Sequence, residues 1–193
     1  MKIGFCICGS FCMHKKALET LAELSGKYEI VPVLSEHSAS VDTRFGTHGA
    51  LITAVCGICG RAPVTTIEGA EPLGPAEPLD LLVICPCTGN TLSKIASGVS
   101  DTSVTLAAKA TLRADRPVLI CLCSNDALGA NLSNIGKLYV RKNVYFAPMY
   151  MDDKEKKPHS LVCDFSRIGE CIEETSRGRQ INPVFCPGPL SST

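Results

Sequence analysis

Five short, near-continuously apolar runs, separated by intervals long enough for helices, constrain the fold of this chain more than any other feature. They are KIGFCIC (2–8), EIVPVLS (29–35), LLVICPC (81–87), PVLICLC (117–123) and VYFAPM (144–149). A strand that is apolar at nearly every position has both faces covered, as in a parallel sheet between helical layers. Pro32 has no N–H to give to a neighbour, so the second run belongs toward an edge. APVTTIE (62–68) reads as one further short strand.

Helical spacing fills the intervals. Ala17, Leu18, Leu21 and Leu24 form an apolar stripe ending at Gly26; Leu51, Ile52 and Val55 form another, ending in CGICG. Leu92, Ile95, Ala96 and Val99 make a third stripe, and Leu106, Ala107, Ala110 and Leu112 a fourth. Ile168, Cys171 and Ile172 mark a last helix. Alternating strands and helices predict an α/β fold with a doubly wound, mostly parallel, Rossmann-like sheet. With 193 residues and an apolar fraction of 45%, the chain can bury one such core. A single domain is expected over 1–181, with NPVFCPGPLSST (182–193) as a loosely held tail. MDDKEKKPHS (151–160) reads as a charged surface loop in the position of a mobile lid.

Charge and cysteine usage narrow the class. Lys+Arg equals Asp+Glu, and no basic block interleaved with aromatics occurs, so nucleic acid is not an expected partner. The apolar N-terminal run is too short for a signal peptide, and no run approaches transmembrane length, so a cytoplasmic location is expected. Twelve cysteines then read as reduced thiols. Three pairs, Cys6/Cys8, Cys85/Cys87 and Cys121/Cys123, share a spacing that puts both sulfurs on one strand face. Only Cys56 and Cys59 form a C-x-x-C, which is half of a zinc pattern, so no metal is expected.

The loops after the first three apolar runs are rich in small hydrogen-bonding residues. Cys87, Thr88, Gly89, Asn90 and Thr91 stand where a strand gives way to a helix. In open parallel sheets ligands bind beyond the carboxyl ends of the strands. Helices starting there offer free N–H groups and the positive end of a dipole to an anion. Gly9 and Ser10 after the first run, and Ser35 and Ser38 after the second, belong to the same rim. Each hydroxyl alone is explained as a helix cap; three such loops at one rim favour a phosphate cradle. Gly9, Ser10, Ser35, Ser38, Cys87, Thr88, Asn90 and Thr91 are therefore the candidate cofactor-binding residues. G-x-G-x-x-G, P-loop, zincin and G-x-S-x-G patterns are absent.

PCTGNTLSKIASGVSDT (86–102), followed by TLAAKATLRADRPVLI (105–120), resembles the FMN-binding flavoprotein family, which includes flavin prenyltransferases and cysteine decarboxylases. Thr88 stands for that family's usual Ser, while Asn90 and Thr91 match. DTRFG (42–46), AEPLGP (70–75), SNDALGAN (124–131) and KKPHS (156–160) are similar to one branch of it. The resemblance implies FMN as cofactor, a homo-oligomer, and a separate NADP-linked partner chain. It further implies oxidation of a dihydropyridine dicarboxylate in the mother cell of a sporulating bacterium. The His before the central strand and the P-x-M-N-x-x-M-W segment of the decarboxylases are missing from 65–80 and 123–134. A decarboxylase or prenyltransferase relative, or a non-catalytic flavoprotein scaffold, stays open as an alternative.

A dicarboxylate needs cations. Arg44 and Lys109 are the candidate substrate-binding residues, each also readable as an ordinary surface charge. Asn125 and Asp126, after the fourth run, are candidate catalytic residues or helix caps. His14 and His37 lie near the rim, and His48 and His159 read as surface residues.

Overall fold

The computed structural model describes residues 1–188. Its sheet has eight strands: β1 (Lys2–Ile7), β2 (Glu29–Leu34), β3 (Leu81–Cys87), β4 (Val118–Ser124), β5 (Val144–Phe146), β6 (Met149–Met151), β7 (Leu161–Cys163) and β8 (Phe185–Cys186). The order is β2-β1-β3-β4-β7-β6-β8, with β5 also paired to β4. Strands β2, β1, β3, β4 and β5 run parallel; β7 joins β4 antiparallel. The expected mostly parallel α/β sheet is therefore present.

The helices are α1 (His14–Ser25), α2 (Glu36–Ser40), α3 (His48–Cys59), α4 (Ile67–Ala70), α5 (Gly89–Ala96), α6 (Ser103–Arg113), α7 (Leu132–Tyr139) and α8 (Ile168–Ser176). Successive strand residues point to opposite faces, and two cores result. Ile3, Phe5, Ile7, Leu81, Val83, Leu119 and Cys121 pack with α1, α3 and α8. Cys6, Leu82, Ile84, Val118, Ile120 and Leu122 pack with α5, α6 and α7 on the other side.

Pro32 lies in the edge strand β2, as its missing N–H requires. Its carbonyl points outward and accepts the Val64 N–H at 2.9 Å, so its nitrogen also faces away from β1. The strand expected over 62–68 shrinks to this single bridge at Val64, and α4 begins three residues later. The third helix stripe ends early: α5 stops at Ala96, a turn through Gly98 (φ +74°) follows, and Val99 is exposed.

One cysteine pair departs from its expected geometry. Cys85 belongs to the core under α1 and α8, Cys87 to the opposite core. The β3–β4 register shifts between Ile84 and Cys87, and that irregularity puts residues two apart on opposite faces.

The run VYFAPM divides at Ala147–Pro148 into β5 and β6. β4 serves both halves of the sheet: Val118–Ile120 pair with β5, and Cys123 and Ser124 with β7. The charged segment 152–160 closes the antiparallel β6–β7 pair. The stretch expected as a tail is held by the sheet as far as it is described. Val184 is 5% exposed, Phe185–Cys186 pair with β6, and residues 189–193 lie outside the described residues. Among the described residues no helix is long and apolar enough to cross a membrane.

Candidate functional site

Because β1, β2 and β3 are parallel neighbours, the segments that follow them emerge at one rim. Two adjoining cavities lie there. One, of about 340 Å³, is lined by Gly9, Phe11, Ser35, Glu36, Thr88, Asn90, Thr91 and Lys94 among others. The other, of about 470 Å³, shares Gly9, Phe11, Thr88 and Asn90 and extends past Ser10 and Gly89 to Ser124, Asn125, Asp126, Asp152 and Lys157. The three loops singled out in the sequence thus meet.

Most of their hydroxyls are spent on capping. Thr88 Oγ1 accepts the Thr91 N–H at 3.2 Å and donates to Thr91 Oγ1 at 3.1 Å; Thr91 Oγ1 donates to Cys8 Sγ at 3.5 Å. Ser35 Oγ accepts the Ser38 N–H and donates to Ser38 Oγ at 3.0 Å. Ser38 is buried and lines a separate cavity of about 300 Å³ beside α1, with His14 and Phe45. Glu36 brings a carboxylate to the smaller cavity, and its Oε1 accepts the Ser103 N–H at the start of α6 at 2.8 Å. Lys94, one turn beyond Asn90 on α5, brings the cation, paired to Asp101 at 2.9 Å.

On the β4 side the Asp126 carboxylate accepts from Ser124 Oγ and, at 2.9 Å, from Asn131 Nδ2. Asn131 is itself 5% exposed. This cluster dictates glycine at position 89. A Cβ there would stand 2.5 Å from Asn131 Nδ2, 2.6 Å from Ser124 Oγ and 2.7 Å from Asp126 Oδ1. At Gly9 a Cβ would meet nothing closer than 3.7 Å. The position that needs glycine is thus the first residue of α5.

Other candidates lie elsewhere. Cys87 is fully buried in the core, with its thiol directed to the Thr88 carbonyl at 3.5 Å, so it lines neither cavity. Arg44 sits on an exposed loop with its guanidinium 4.8 Å from the Phe45 ring centroid; Phe45, not Arg44, reaches the cavity. Lys109 Nζ donates to Ser100 Oγ on the exposed side of α6 and lines neither cavity. His14 Nε2 donates to the Cys8 carbonyl at 2.9 Å, and burial lowers its pKa. His37 lines the smaller rim cavity. His48 Nδ1 lies 2.7 Å from Asp42 Oδ1 on the surface.

All twelve cysteines are free. The sulfurs of Cys85, Cys121 and Cys163 lie within 4.8 Å of one another, and Cys123 Sγ is 3.6 Å from Cys163 Sγ. Burial drives the pKa of Cys85, Cys121 and Cys163 well up, so these three pack as neutral thiols. Sequence reasoning missed Lys94, Asn131 and Lys157. The first had a signal: residues four apart share a helix face, and Lys94 is four beyond Asn90.

A flavoprotein family model matches residues 1–170, and the chain belongs to that family. Within it, the chain is similar to the dipicolinate synthase B subunit of Bacillus subtilis (strain 168): 38% identity over 185 residues, covering 95% of this chain and 92% of that protein. The crystal structure of the dipicolinate synthase B subunit from Bacillus halodurans C superposes with a TM-score of 0.88 at 38% identity, over 96% of this chain and 95% of that one. The FMN-dependent cysteine decarboxylase SpaF shares the fold, with a TM-score of 0.66 at 24% identity over 91% and 97% of the two chains.

Proposed function

We propose that this chain acts as the B subunit of a dipicolinate synthase. In this reading it binds FMN and works with the NADP-linked A subunit of that enzyme in the mother cell of a sporulating bacterium. The pair oxidises a dihydrodipicolinate-type precursor to pyridine-2,6-dicarboxylate. The observation that supports it most directly is the joined pair of cavities at the strand ends, in a chain 38% identical to a dipicolinate synthase chain over 95% of its length.

The residues present fit a phosphate-bearing cofactor. Gly9 and the start of α5 bring backbone to the cavity, the Asn90 carboxamide is exposed there, and Lys94 supplies positive charge. Ser103 holds the Glu36 carboxylate through its N–H. FMN, when bound, supplies a two-electron acceptor. The chain's own part is binding, orientation and proton transfer. Asn90 and Ser10 would donate to the phosphate and its adjoining chain, and Lys94 would exchange the exposed Asp101 for it. Aromatising a dihydropyridine removes a proton and a hydride, the hydride passing in the end to NADP on the partner chain. Asp126, fixed by Ser124 and Asn131, accepts the proton, and Asn125 orients the ring.

The test is reconstitution. The natively purified chain should show a flavin absorption spectrum, and with its NADP-linked partner, precursor and NADP it should form dipicolinate. No product from that mixture overturns the functional reading. Full activity of flavin-free protein removes FMN from it. Full activity of an Asp126→Asn variant removes Asp126 as the proton acceptor.

A further inference from the structure

The larger cavity carries a charge imbalance for a dicarboxylate. Among the described residues lining it, the charged side chains are Asp126, Asp152 and Lys157. Two carboxylates and one ammonium sum to one negative charge, and a dicarboxylate adds two more. Neither cation expected from the sequence, Arg44 or Lys109, lines this cavity.

Lys157 differs from the other two charges in how it is held. Asp126 is tied down by Ser124 and Asn131. Lys157 Nζ meets Asp152 Oδ2 at 2.6 Å, with the lysine side chain 54% exposed, and pairs so exposed to water are weak. Its backbone, by contrast, is fixed. Asp153 Oδ1 accepts the N–H groups of Glu155 and Lys156, the Asp153 carbonyl accepts the Lys157 N–H at 2.9 Å, and the Lys157 carbonyl accepts the Ser160 N–H at 3.0 Å. The turn is anchored in its place by the β6–β7 pair. A flexible four-carbon arm with a compact charge thus stands on a rigid base at the cavity wall. The hydrogen bond to Asp152 also raises the lysine's pKa above its ordinary value.

We infer that Lys157 is the substrate's carboxylate-binding residue, exchanging Asp152 for a carboxylate of the ligand; this rests on the dicarboxylate reading above. Asp152 is the internal stand-in that holds the ammonium in place until a ligand arrives. The exchange moves the positive end of the arm onto the ligand and leaves Asp152 to water. The two members of the pair therefore act with opposite sign on binding, which a merely structural ion pair does not do.

The experiment is calorimetric titration of the natively purified chain, in buffer free of divalent cations, with pyridine-2,6-dicarboxylate and with pyridine-2-carboxylate as the one-carboxylate control. The wild-type chain should prefer the dicarboxylate. Lys157→Met should weaken dicarboxylate binding roughly tenfold or more and erase that preference, since a hydrogen bond to a charged group is lost. Lys157→Arg should retain it, Asp152→Asn should tighten it, and melting temperatures should barely move. Wild-type chain that binds no dicarboxylate, or a Lys157→Met chain that binds it as wild type does, overturns the assignment. So does Asp152→Asn weakening binding as much as Lys157→Met. Kinetics with the NADP-linked partner separate the two claims. Product formed by Lys157→Met at an unchanged KM keeps the function and removes this residue's role. No product from the wild-type pair, with dicarboxylate binding still lost in Lys157→Met, removes the function and keeps the role.

Discussion

Thr91 is 7% exposed, and its hydroxyl accepts from Thr88 Oγ1 while donating to Cys8 Sγ. Asn90, its neighbour, is exposed at the junction of the two cavities. Substituting each by Ala separates folding from binding. Thr91→Ala should lower stability by about 1 kcal/mol, the net worth of an internal hydrogen bond, and affect flavin retention less. Asn90→Ala should leave the melting temperature in place and weaken FMN binding by roughly 1.5–3 kcal/mol, one to two decades in Kd. Thermal scans beside a flavin fluorescence titration read both. Equal melting losses in the two variants would make Asn90 a structural residue. At this scale the sequence was legible where chemistry is local: Thr88 as a cap, Asn90 at the rim. It was silent where two remote segments meet. Gly89 looks like a turn residue in CTGNT, yet what forbids a side chain there is the Ser124–Asp126–Asn131 cluster some forty residues away in the chain, as the Cβ distances show.

The elements that were legible are those that bury both faces. β1, β3 and β4 are apolar at nearly every position because helices cover them on two sides, and the continuous pattern shows it. β6, β7 and β8 are two or three residues long, too short for any period to register. The bulge after Ile84 was equally hidden, since a register shift is a property of two strands together. Helix α1 shows how an element is tied to the rim and how burying its first residue makes stability depend on pH. Its first residue, His14, donates Nε2–H to the Cys8 carbonyl and packs 5.2 Å from the Phe11 ring. Burial lowers its pKa below the ordinary 6.5. Below 6.5 the unfolded chain takes up a proton that the folded chain resists, so the unfolded state binds more protons and stability falls with pH. The stability is whole above 6.5 and is lost as pH falls through the depressed folded value. Urea midpoints at about pH 7.5 and 5.5 should therefore drop less in His14→Gln than in wild type. Equal drops would show that His14 titrates alike in both states.

At the scale of the molecule the site draws on both ends of the chain. The loops after β1 and β3 line one side of the larger cavity, whereas Asp152, Lys157 and Ser160 arrive on the β6–β7 pair, which joins the parallel block through the last two residues of β4. β8 secures that pair from the far side. Val184 is packed in the same core as Met149 and Leu161, and its carbonyl accepts the Met149 N–H at 2.7 Å. A segment of Asn, Pro and Gly around two apolar residues reads as a tail, because no local pattern says that a remote strand edge needs covering. The contact nonetheless makes a distant residue matter to the cavity. Val184→Asp places an unpaired carboxylate in the core and should cost roughly 2–4 kcal/mol. The loss should be felt first in β6 and β7, so dicarboxylate binding should weaken in the same variant. Phe185→Ala, at a side chain 52% exposed, should cost under about 0.5 kcal/mol and leave binding intact. Denaturant midpoints and calorimetric titrations on the pair of variants decide it. If Val184→Asp melts and binds like Phe185→Ala, then β8 does not brace the site, and the β6–β7 pair holds its place without it.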